Sequence, residues 1–138
     1  AKAALTRAAR IADGYISYSI TADMFADALK FIDDELERQK REVAFGTGHL
    51  LFMRIDDDYE TAFEHANKHL TRRYAMDFSK ATKKYCALGK PEDVAETISA
   101  YYDAGVRHIV LDLVGPLSQK DEQLTRFAKE VKPLLSFG

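Results

Sequence analysis

Helix-period segments alternate along this chain with short runs that are apolar on both faces, and this alternation limits the fold more than any other feature. His49-Leu50-Leu51-Phe52-Met53 has no polar face, and Arg107-His108-Ile109-Val110-Leu111-Asp112-Leu113-Val114 is the clearest strand in the sequence. A strand without a polar side belongs inside a parallel sheet, where helices cover both surfaces. Tyr15-Ile16-Ser17-Tyr18-Ser19 is a shorter β-prone run behind Asp13-Gly14. The predicted order is helix, strand, helix, strand, helices, strand, helix. Such alternation implies parallel strands joined by right-handed crossovers, an α/β fold.

The helices between these runs are legible from spacing and caps. Ala4, Leu5, Ala8 and Ile11 keep helical spacing from the first residues, with no capping residue ahead, so Ala1 is expected to lie within a helix. From about Thr21, a sensible N-cap, Phe25, Ala28, Leu29, Ile32 and Leu36 form an apolar stripe. Gly46 and Gly48 are read as breaks before the second strand, and Asp56-Asp57-Asp58 as its end and the next N-cap. Tyr59, Ala62, Phe63, Ala66 and Leu70 mark that next helix, and residues 76–87 a shorter one or an ordered insertion. Pro91 suits the first turn of a helix that Gly105 closes in a left-handed conformation. Ser118 with Asp121 resembles a capping box for a last helix carried by Leu124, Phe127, Ala128 and Val131.

Composition excludes several classes of function. A net charge of -2 with a pI near 6.1 gives no electrostatic basis for binding nucleic acid or an anionic membrane. No apolar run approaches the ~18 residues of a membrane span, and no signal-peptide core is present. Cys86 is the sole cysteine, so no intrachain disulfide or cysteine-rich metal site is possible. A cytoplasmic protein is the expectation.

Two segments resemble a known family. Arg7-Ala8-Ala9-Arg10-Ile11-Ala12-Asp13-Gly14-Tyr15-Ile16 resembles the helix-to-strand signature of luciferase-like monooxygenases, with Tyr15 where many relatives have Trp. Leu88-Gly89-Lys90-Pro91-Glu92-Asp93-Val94-Ala95, running on to Tyr102-Asp103-Ala104-Gly105-Val106-Arg107-His108-Ile109-Val110-Leu111, resembles the same family's closing unit. The Asp56-Asp57-Asp58-Tyr59-Glu60-Thr61-Ala62 turn is similar to the acidic helix start after its seventh strand. Their succession, in the family's order, covers nearly the whole chain. The resemblance implies one partial domain over residues 1–138: strands six to eight of a (β/α)8 TIM-type barrel, with the helix that precedes them. It implies flavin chemistry, reduction or monooxygenation with FMN, or with a deazaflavin coenzyme as alternative, at the C-terminal ends of the strands. The family's phosphate loop and first four strands would lie ahead of Ala1, so the chain alone is expected to be inactive. Uncovered edges of a three-stranded parallel sheet would favour homo-oligomers. A non-catalytic, self-associating module is the second reading.

The candidate cofactor-binding residues sit at strand C-terminal ends. Ser17, Tyr18 and Ser19 carry hydroxyls that could bond a phosphate or ribityl chain, or cap the next helix. Arg54 could clasp a phosphate through two N–H groups or pair with Asp56 to Asp58. Asp112, apolar on both sides, needs a structural partner or a ligand, and Gly115 lies nearby. His65 and His69 have metal-ligand spacing, but no third ligand is evident, and no metal is expected.

Overall fold

The structure is a computed structural model, and it describes residues 2–137. In chain order its main elements are α1 (Lys2–Ile11), β1 (Gly14–Tyr18), α2 (Ala22–Arg38), β2 (Gly46–Ile55), α3 (Tyr59–Tyr74), α4 (Ser79–Tyr85), β3 (Ala87–Gly89), α5 (Pro91–Asp103), β4 (His108–Leu113) and α6 (Lys120–Arg126). The chain divides into two compact units, residues 1–50 with 101–110, and residues 51–100 with 111–138.

In the first unit β1 runs parallel to the first half of β2, from Gly14 opposite Gly46 to Tyr18 opposite Leu50. Gly46 and Gly48 are therefore strand residues, not breaks. Close backbone approach falls at Gly14, where a Cβ would sit 3.0 Å from the Gly46 carbonyl oxygen. α2 starts where Thr21 accepts a hydrogen bond from the Met24 N–H at 3.2 Å. Its buried side chains are Phe25 and Ile32. Arg41 donates to the Ala9 and Ala12 carbonyls at 2.9 and 2.6 Å, occupying acceptors that the C-terminus of α1 leaves open. Gly105, at φ 109°, ends the turn after α5, with the Leu29 side chain packed against the place a Cβ would need.

In the second unit Leu51, Phe52, Met53 and Ile55 are almost fully buried, as a strand apolar on both faces requires. β3, which the sequence reading lacked, pairs in parallel with Met53–Ile55. Three residues are too few for a period to show, and this strand exists only by pairing. Asp58 caps α3 by accepting from the Thr61 N–H at 2.7 Å. Ala62, Ala66 and Leu70 are the face that α3 buries. The expected Ser118 capping box is absent: Leu117–Gln119 forms a 3-10 turn and α6 has no side-chain cap. In the last helical segment Val131 is buried as expected, but α6 turns Gln123 inward in place of Leu124. Gln123 is 3% exposed whereas Leu124 is 54% exposed. The Gln123 amide bonds the Ile55 N–H and the Ile55 carbonyl, both at 2.8 Å, as a neighbouring strand would. A buried backbone pair left open costs more than an exposed leucine, so the polar residue goes in.

Candidate functional site

The strand ends hold two separate sets of polar side chains, one in each unit. At the end of β1, Ser17 lies buried and its Oγ is 2.8 Å from His49 Nδ1. The His49 ring stacks on Tyr101 with centroids 4.3 Å apart and meets Phe25 edge-on. Burial among these rings pushes the imidazole down to about 4, so it is neutral at pH 7. Ser17 thus spends its hydroxyl on a core histidine. Tyr18 is 61% exposed, and Ser19 takes a left-handed φ of 52°. Neither hydroxyl has a protein partner among the described residues.

In the second unit the end of β2 carries Arg54, whose side chain is 3% exposed. Its Nε donates to Asp56 Oδ2 at 2.7 Å and its Nη2 to Gln119 Oε1 at 2.6 Å. Asp56 Oδ2 also meets His65 Nδ1 at 3.1 Å. Arg54 Nη1 is buried and has no partner among the described residues. Gly115, at φ 126°, lies against that nitrogen, and any Cβ there would collide with it. Glycine serves twice here, for its backbone angle and for the space it leaves. Asp112 takes two hydrogen bonds from Arg73, at 2.6 and 3.2 Å, and raises the Arg73 pKa further.

Each of the six sequence-derived candidates is thereby placed. Ser17, Arg54 and Asp112 are bonded to protein, Gly115 packs on Arg54, and Tyr18 and Ser19 are open. Sequence reading did not find the partners Gln119 and His65, which lie 65 and 11 residues from Arg54 and share no periodic signal with it. His69 donates from Nδ1 to the Gly115 carbonyl at 2.7 Å. Among the described residues no group of three or more His, Cys, Asp or Glu side chains is placed to hold a metal. Burial pushes the Cys86 thiol up to about 12, which leaves it protonated and a poor nucleophile.

The backbone arrangement matches solved structures closely. A coenzyme F420-dependent tetrahydromethanopterin reductase from Methanopyrus kandleri aligns with 99% of this chain at TM-score 0.75 and 18% identity. An F420-dependent secondary alcohol dehydrogenase aligns with 95% at TM-score 0.75 and 12% identity. The monooxygenase RslO1 from Streptomyces bottropensis aligns with 96% at TM-score 0.74 and 18% identity. In backbone fold, the chain is similar to all three. It spans about half the length of these structures, 49%, 46% and 45% respectively. No family model and no curated protein matches the sequence. At these identities the likeness concerns the fold. Among the described residues no helix is long and apolar enough to cross a membrane.

Proposed function

We propose that this chain supplies the last βα units, about strands six to eight, of a flavin-dependent oxidoreductase or monooxygenase built on a luciferase-like (β/α)8 barrel. One observation carries the reading: nearly all of this chain matches less than half of two F420-dependent enzymes and a monooxygenase. Ile16 and Tyr18, neighbours on one face of β1, are 59% and 61% exposed, and further barrel strands would give that face an interior to line. FMN is the proposed cofactor, with a deazaflavin coenzyme as the alternative.

The residues present do not fit a whole flavin site. Ser17 and Asp112 are committed to other side chains, and the orphaned Nη1 of Arg54 is sealed behind Gly115. Of the six candidate residues, only Tyr18 and Ser19 have hydroxyls that can turn to a cofactor without breaking a bond among the described residues. No redox step is assigned to these side chains, and the chain alone is proposed to be inactive.

Two measurements test this reading. Titration of the purified chain with FMN or F420, followed by cofactor fluorescence, is expected to show no saturable binding in the micromolar range; tight binding defeats the incomplete-site reading. The complete gene product is expected to carry a flavin or deazaflavin absorbance, and a colourless product that binds neither removes the assignment. The chain is also proposed to self-associate through its uncovered sheet surface. A single monomer in sedimentation velocity, together with a cooperative melt, argues against that.

A further inference from the structure

A groove in the second unit stands independently of the flavin reading. α3 lines one side with His65, Lys68, His69, Arg72 and Arg73, and the Gly115–Leu117 turn forms the other. Its volume of about 620 Å³ is within the range of small-molecule sites. Positions 65, 68, 69, 72 and 73 share one helix face, because residues three and four apart are neighbours on an α-helix.

The hydrogen bonds show which of these groups are free. Arg73 is held by Asp112. The Gly115 carbonyl can only accept, so His69 Nδ1 carries the proton, and its bare Nε2 lies 2.8 Å from Arg73 Nη2 as an acceptor. His69 therefore fixes Arg73 to the turn, and His65 turns Nδ1 to Asp56. Lys68 and Arg72 remain. Both are exposed, one turn apart, and neither has an ion pair or side-chain hydrogen bond among the described residues. The groove thus carries three cations, with Asp112 the one carboxylate bonded to them, on a chain whose net charge is -2. A cleft focuses such a field on a small anion. The opposite wall is apolar: Leu117 is 75% exposed beside Pro116.

We propose that this groove binds a small organic phosphate monoester. Lys68 and the Arg72 guanidinium fork hold the phosphate, and Pro116 and Leu117 hold its apolar or aromatic part. The probe is 1-naphthyl phosphate, titrated into the full chain and followed by calorimetry or amide chemical shifts. Saturable binding weaker than micromolar is expected, reduced about a further tenfold in Lys68→Ala/Arg72→Ala and falling as salt rises. Leu117→Ser is expected to weaken naphthyl phosphate several-fold and leave inorganic phosphate unchanged; this single surface change keeps the test open if the double variant folds poorly. Phosphatidylglycerol vesicles separate a lipid headgroup from a free ligand. No saturable binding of naphthyl phosphate, equal binding by the cation variant, or binding to vesicles alone overturns the proposal.

Discussion

Between pH 6.5 and pH 4 the chain is expected to lose roughly 3 kcal/mol of stability through one imidazole, that of His49. The ring is 1% exposed, bonded to Ser17 and stacked on Tyr101. Folding holds it neutral down to about pH 4, whereas an unfolded histidine takes up its proton near 6.5. The unfolded state therefore binds more protons across this window. Stability is complete above 6.5, falls as pH drops toward 4, and changes no further on account of this group below it. Urea denaturation at several pH values reads the slope directly. His49→Gln keeps a partner for Ser17 but cannot titrate, so its stability is expected to vary less across the same window. Carboxylates such as Glu35, held down by Arg38, act on both proteins alike, and the difference between the two isolates the imidazole. If wild type and variant lose stability in parallel, the ring is not buried neutral as described.

Arg54→Met is expected to cost about 3 kcal/mol, at the lower end of what breaking a buried ion pair costs, since His65 still faces the abandoned carboxylate. The loss comes less from the missing attraction than from what stays behind. Asp56, whose side chain is 15% exposed, is left without its guanidinium partner, and Gln119 Oε1 loses its donor. Adding Asp56→Leu to Arg54→Met is expected to recover part of the loss, because the stranded charge goes with it. Arg54→Lys does not rescue, because an ammonium cannot span Asp56 and Gln119 as the fork does. Thermal or urea unfolding of the two single variants and the double variant closes the cycle. A cost for Arg54→Met below about 0.5 kcal/mol would show that these hydrogen bonds contribute little to folding.

Much of the fold was legible because its signals are local. Thr21 and Asp58 cap the helices they were expected to cap, and Gly105 takes the positive φ its position called for. The strands at β1, β2 and β4 lie where the β-prone runs lie, and they pair in parallel where registers are defined. The failures share one cause, which is that distant residues decide them. Gly46 and Gly48 look like breakers until Gly14 and Ile16 are seen against them. Ser118 and Asp121 have capping-box spacing, but the chain there turns as a 3-10 helix after Pro116 and uses no such cap. Leu124 fits the apolar stripe, yet Gln123 turns inward because Ile55 has an open N–H and C=O to satisfy.

The candidate site divides the same way. That Asp112 needed a partner followed from placing charge among apolar neighbours, and the pairing of Arg54 with Asp56 was one of the two readings its sequence position offered. The distant partners did not follow: Gln119 and Arg73 lie 65 and 39 residues from Arg54 and Asp112, and only the folded chain brings them within hydrogen-bond distance. By itself the sequence determined an α/β chain with parallel strands, because periodicity and capping act over a few residues. Tertiary structure alone decided that Ser17 serves His49, that Gly115 makes room for Arg54, and that Lys68 and Arg72 face a groove whose bonded carboxylate, Asp112, is taken by Arg73. Hydrogen bonds and charge pairs are short-ranged, and the chain must first bring their members together.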